Sequence, residues 1–192
     1  MVIDVYNGKW GIPGKCGSRY FAKTELITNW EIPTKYRVSI DDLKHLRLEA
    51  IVIRNPMSHL KSALQTEVME CFNDVDKIYH ILQTFTNMQY GGTHFHPQFC
   101  NMIYKIWYQN DLRIIDLSKL SEFMKEILQE IPYNSIDYDF HNETTYKTKE
   151  EVWNKCIELY PDLMNNLIEF INIDTKYYNA LLNGDRKLFK II

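Results

Sequence analysis

Repeats, low-complexity tracts and Gly/Ser linkers are all missing from this chain of 192 residues. Their absence excludes solenoids and tandem arrays and leaves one continuous fold as the expectation, a single domain over 1–192. No apolar run approaches the ~20 residues of a membrane-spanning helix. Met1-Val2-Ile3-Asp4 also lacks the basic-then-apolar layout of a secretory leader. A soluble, cytoplasmic protein is therefore expected. A basic excess is missing too, because 22 Lys and Arg face 25 Asp and Glu, for a formal charge of −3 and a pI near 6.1. Coating nucleic acid requires a clear Lys/Arg surplus, so nucleic acid is excluded as a partner while a local anion site is still allowed. The four cysteines, Cys16, Cys71, Cys100 and Cys156, form no CxxC pair. That removes the usual zinc and redox motifs and leaves free thiols.

What is present is ordinary for a globular domain: 45% hydrophobic and 24% charged residues, enough to bury well over half of the unfolded surface. Asn, Ile, Lys and Tyr are abundant, a composition compatible with an AT-rich coding genome such as that of a phage or virus. Along the chain, strands alternate with helices. A strand over 2–5 leads to the loop Gly11-Ile12-Pro13-Gly14, and Ser18 caps a helix over 18–29. Glu49-Ala50-Ile51-Val52-Ile53 is a short apolar run of the kind buried on both faces of a parallel sheet. Pro56 suits the first position of the next helix, over 57–71. A further helix covers 75–87, followed by a loop at 90–92 and an apolar stretch over 102–108. A strand over 113–117 and a helix over 118–130 come next, and from 150 onward the periodicity is mainly helical. This order predicts an α/β fold, a central parallel sheet flanked by helices, with ligands at the carboxyl ends of the strands.

Two elements carry chemistry. Gly14-Lys15-Cys16-Gly17-Ser18, followed by Arg19, lies between a predicted strand and a predicted helix. Helix-terminal amides and the Lys15 ammonium can there face an anion, although a plain turn has the same composition. The loop is not a Walker A motif, because Cys16 stands where a Ser/Thr would hold Mg²⁺. The second element is Arg54 at the end of the apolar strand, with Ser62 eight residues later. A guanidinium and a hydroxyl two helical turns apart can converge on one phosphate. Taken singly, each is also compatible with a surface ion pair or a solvent-facing serine.

Together these elements resemble the sulfotransferase superfamily that uses PAPS, 3′-phosphoadenosine 5′-phosphosulfate. Pro13-Gly14-Lys15-Cys16-Gly17-Ser18 is similar to its 5′-phosphosulfate loop, and Ile53-Arg54-Asn55-Pro56 with Ser62 to its 3′-phosphate motif. Thr93-His94-Phe95-His96-Pro97-Gln98 and Ile115-Asp116-Leu117-Ser118-Lys119-Leu120 resemble segments of the carbohydrate sulfotransferase branch, with Phe95 where that branch has Trp. The likeness runs over roughly residues 10–125, and the stretch from Lys15 to Arg54 is short for the family.

The resemblance implies a P-loop-type sheet and sulfonate transfer from PAPS, without a metal, to an acceptor hydroxyl or amine on a glycan or small metabolite. Lys15 would stabilise the leaving 5′-phosphate. His94 and His45 are the first candidates for the base that takes the acceptor proton, with His96, Glu31 and Asp41 as alternatives. Trp10 and Trp30 are candidates for stacking or for core packing. Asp185-Arg186-Lys187 is a solvated charge cluster or a second 3′-phosphate contact. Other readings of the same residues are a nucleotide or small-molecule kinase and a non-catalytic nucleotide-binding protein.

Overall fold

The computed structural model describes residues 2–5, 8–11, 47–87, 111–120, 122 and 147–184. These are mostly helical and include a small sheet with parallel pairing. Four strands lie in the order β1 (Val2–Val5), β2 (Gly8–Gly11), β3 (Ala50–Ile53) and β4 (Arg113–Asp116). β1 and β2 are antiparallel, Val5 facing Gly8 and Val2 facing Gly11. β2 then runs parallel to β3, with Trp10 opposite Ala50 and Gly11 opposite Ile51. β3 runs parallel to β4, from Ala50 opposite Arg113 to Ile53 opposite Asp116.

β3 is thus paired on both sides, and all four of its residues are buried. Its unbroken apolar run follows from that position, since a strand covered on both faces has no side left for polar residues. β2 departs from the sequence reading, which placed Gly11 in a loop and made residues 2–5 the strand leading to the Gly14–Ser18 segment. Gly8-Lys9-Trp10-Gly11 has two glycines and no β-branched residue, so its strand character comes from backbone pairing rather than side-chain pattern. The parallel strand that precedes residues 14–18 is therefore β2.

Helix α1 (Pro56–Val68) starts as its sequence dictates. The Asn55 side chain accepts from the Ser58 N–H at 3.1 Å, and Pro56 occupies the first turn, where its missing N–H costs nothing. A 3₁₀ turn at Met69–Cys71 follows, then α2 (Val75–Asn87). After β4 comes another 3₁₀ turn, Leu117–Lys119. The last two helices are α3 (Lys149–Leu159) and α4 (Pro161–Leu182).

α3 opens on a reciprocal capping box: Glu151 N–H donates to Thr148 Oγ1 at 3.1 Å, and Thr148 N–H donates to Glu151 Oε2 at 2.7 Å. Pro161 separates α3 from α4, because the residue before a proline is driven out of helical geometry; Tyr160 sits at φ −140° and ψ 62°. Beyond α4, Gly184 adopts φ +70°, the left-handed conformation that glycine takes at low cost after a helix end.

The helices bury one shared stripe each. Leu60, Ala63, Leu64 and Val68 of α1 meet Ile78, Leu82 and Phe85 of α2, Val152 and Cys156 of α3, and Met164, Leu167 and Ile171 of α4. The spacing of three and four residues on every helix is what makes this stripe continuous. Among the described residues, no helix is long and apolar enough to cross a membrane.

Candidate functional site

The carboxyl end of β3 hands directly to α1, so Arg54 stands at the sheet edge beside a helix start. Arg54 is half-buried, and the α1 side chains after it are sorted by helical period. Pro56, His59, Leu60, Ala63 and Leu64 face inward. Asn55, Ser58, Ser62 and Thr66 follow one another at steps of three and four residues and form a polar stripe that begins next to Arg54. Ser62 lies about 9 Å along the helix axis from Pro56. It is half-buried, and its carbonyl accepts from Thr66 Oγ1 at 3.1 Å. Arg54 and Ser62 therefore occupy the strand end and the polar stripe that starts there.

A neighbouring stripe of α1, through Lys61 and Gln65, receives the start of α3. Gln65 Nε2 donates to the Lys147 carbonyl at 2.7 Å, and Lys61 Nζ lies 2.8 Å from Glu150 Oε2 and 5.1 Å from the Trp153 ring centroid. Advancing from 147 to 150 thus moves the chain from Gln65 back toward the Arg54 end of α1. Lys149 lies on this segment. Loss of hydration and the nearby Arg54 guanidinium push its ammonium pKa down, with Glu150 opposing.

On the adjacent strand, Asp116 is the register partner of Ile53, the residue before Arg54. It is buried, and its carboxylate accepts from the Ser118 N–H at 2.7 Å, from Ser118 Oγ, and from the Tyr178 hydroxyl of α4. The network pins the C-terminal helix to the carboxyl edge of the sheet. Burial pushes the Asp116 carboxyl up, but the Ser118 and Tyr178 hydrogen bonds outweigh it and hold the group below its ordinary 3.8. Burial, together with the hydrogen bond to Asp116 and its charge, pushes Tyr178 well above its ordinary 10.0.

A carboxyl with a lowered folded pKa stabilises above its unfolded value and loses that contribution as pH falls. A phenol with a raised folded pKa stabilises below its unfolded value and loses it as pH rises. The network should therefore contribute fully between about pH 4 and pH 10. Thermal unfolding across pH should show Asp116→Asn with a flatter acid limb and Tyr178→Phe with a flatter alkaline limb. Tyr178→Phe should also lose about 1.5–3 kcal/mol near neutrality, the range for a hydrogen bond to a charged group. Unchanged limbs in both variants would remove the network from the stability account.

Of the residues singled out from sequence, Arg54, Ser62 and the segment over 115–120 are described, and Trp10 lies in β2. Gly14, Lys15, Cys16, Gly17, Ser18, Arg19, His45 and His94 lie outside the described residues, as do the alternative bases Glu31, Asp41 and His96, and Trp30 and residues 185–187. Among the described residues, no three His, Cys, Asp or Glu side chains group as metal ligands. Cys71 and Cys156 are free thiols; Cys156 is buried in the helical core, and that burial pushes its thiol up to about 11. Sequence reasoning missed the Asp116–Tyr178 tether, which depends on a contact between distant segments. No protein-family model, curated protein or solved structure matches this chain.

Proposed function

We propose that the chain binds PAPS at the carboxyl edge of the sheet and transfers its sulfonate to an acceptor hydroxyl or amine. The observation that carries the reading is Arg54, set at the end of the doubly paired strand β3 and followed by α1 with Ser62 on its polar stripe. The parallel run β2–β3–β4 supports it further as part of a P-loop-type central sheet, because ligands of such sheets sit beyond the strand carboxyl ends.

On this reading Arg54 and Ser62 hold the 3′-phosphate, and the segment Gly14-Lys15-Cys16-Gly17-Ser18 with Arg19 holds the 5′-phosphosulfate. The acceptor oxygen or nitrogen attacks sulfur, and the bond from sulfur to the 5′-phosphate oxygen breaks. The proton of the acceptor passes to a base, with His94 and His45 as candidates. The electron pair of the broken bond stays on the 5′-phosphate, beside the Lys15 ammonium, and 3′-phosphoadenosine 5′-phosphate leaves.

The test is transfer of labelled sulfonate from PAPS to a panel of glycans and small hydroxyl or amine acceptors, in the presence of EDTA. The reading predicts label on at least one acceptor class. Tight PAPS binding with no labelled product across the panel would favour a non-catalytic binder, and phosphoryl transfer from ATP that requires Mg²⁺ would favour a kinase.

A further inference from the structure

Arg54 and Ser62 belong to two different parts of the fold. Arg54 ends a strand of the sheet, and Ser62 stands on a helix of the layer that shares one core. Only Asn55 separates Arg54 from α1, so the angle of that joint is set by how the helical layer sits on the sheet.

The Asp116–Tyr178 hydrogen bond joins those two parts beside the joint. Asp116 is the last residue of β4 and the register partner of Ile53, the last residue of β3, across strands about 4.8 Å apart. Its carboxylate accepts from the Tyr178 hydroxyl of α4, and both residues are buried. α4 in turn shares the core with α1, where Leu167 and Ile171 lie in one cluster with Leu60, Ala63 and Leu64. The circuit is closed: β3 runs into α1, α1 packs with α4, α4 is bonded to β4, and β4 is paired with β3. Arg54 sits at its corner. Apolar packing along the circuit is non-directional, whereas the buried hydrogen bond has a preferred geometry and so fixes the angle.

The order of the strands says which end of the ligand this affects. β2, the strand before residues 14–18, lies on one side of β3, and β4 lies on the other. The tether therefore braces the Arg54 side of the site, away from the segment assigned to the 5′-phosphosulfate.

We propose that Tyr178 and Asp116 are positioning residues for the 3′-phosphate subsite, their hydrogen bond holding α1 at the angle to β3 that lets Arg54 and Ser62 meet one phosphate. The inference rests on the PAPS reading and extends it by making the C-terminal helix a determinant of nucleotide selectivity.

Calorimetric titration of the full chain with 3′-phosphoadenosine 5′-phosphate and with AMP tests it, at a temperature where circular dichroism shows each variant folded. Tyr178→Phe should weaken the 3′-phosphorylated nucleotide by roughly five- to tenfold, the scale of a coupling carried through packed elements, and leave AMP within about twofold. Ile78→Ala, a truncation in the buried core of α2 that leaves the tether intact, should lose stability but keep the wild-type preference. Should Tyr178→Phe not fold, Ser118→Ala reads the same preference from an exposed position, by removing a hydroxyl that donates to Asp116. It should lower the preference by about two- to threefold. If wild type prefers the 3′-phosphorylated nucleotide and the tether variant keeps the full preference, the inference is overturned while the PAPS reading stands. Equal weakening of both nucleotides, or the same loss of preference in Ile78→Ala, would show a structural role alone and would also overturn it. A wild type that does not discriminate between the nucleotides would overturn both.

Discussion

On the PAPS reading, Lys15→Ala is expected to slow the sulfonate-transfer step by roughly 10²–10³-fold at saturating donor, the usual effect of removing one preorganised charge contact. The reason is where charge moves. As the bond from sulfur to the 5′-phosphate oxygen breaks, negative charge grows on the leaving phosphate, so the Lys15 contact strengthens toward the transition state. Arg54 addresses the 3′-phosphate, whose charge is constant throughout. Its loss in Arg54→Ala should weaken nucleotide binding by about tenfold or more while leaving the saturated rate nearly unchanged, the signature of uniform binding. Single-turnover rates at saturating PAPS measure the contrast, with circular dichroism to show that both variants are folded. If the two variants slow the saturated step equally, the division of labour between the charges is wrong.

Phe85→Ala is expected to lower stability by about 3–5 kcal/mol, a shift of at least two orders of magnitude in the folding equilibrium. Phe85 is only 1% exposed and lies in the cluster shared by α1, α2, α3 and α4. Truncating it removes a large apolar side chain and leaves a void in a packed core that its neighbours cannot fully collapse into. Urea denaturation should show the midpoint falling with little change in slope. A loss below about 1 kcal/mol would mean that the helical layer repacks freely and that its shared stripe is not the main source of its stability.

Legibility in the sequence tracked how local the cause was. The buried run Ala50–Ile53 and the proline start of α1 were readable because each is written in adjacent residues. Val75–Asn87 was readable with its bounds, because its apolar side chains keep helical spacing from end to end. Strand β4 was readable from the same kind of signal; the helices expected over 18–29 and most of 118–130 lie outside the described residues. β2 was not readable, since Gly8-Lys9-Trp10-Gly11 carries no strand pattern and depends on two partners for its pairing. Arg54 and Ser62 could be singled out from their spacing. The Asp116–Tyr178 tether could not, because the two residues are 62 positions apart and only the packing of α4 against the sheet edge joins them.

The most direct measurement of the central claim is a crystal structure of the chain with 3′-phosphoadenosine 5′-phosphate bound. The account predicts the 3′-phosphate within about 3 Å of the Arg54 guanidinium and the Ser62 hydroxyl, with the 5′-phosphate at the segment from Gly14 to Ser18 beside Lys15. A nucleotide bound away from the carboxyl end of β3, or one whose 3′-phosphate points into solvent and touches neither Arg54 nor Ser62, would contradict it.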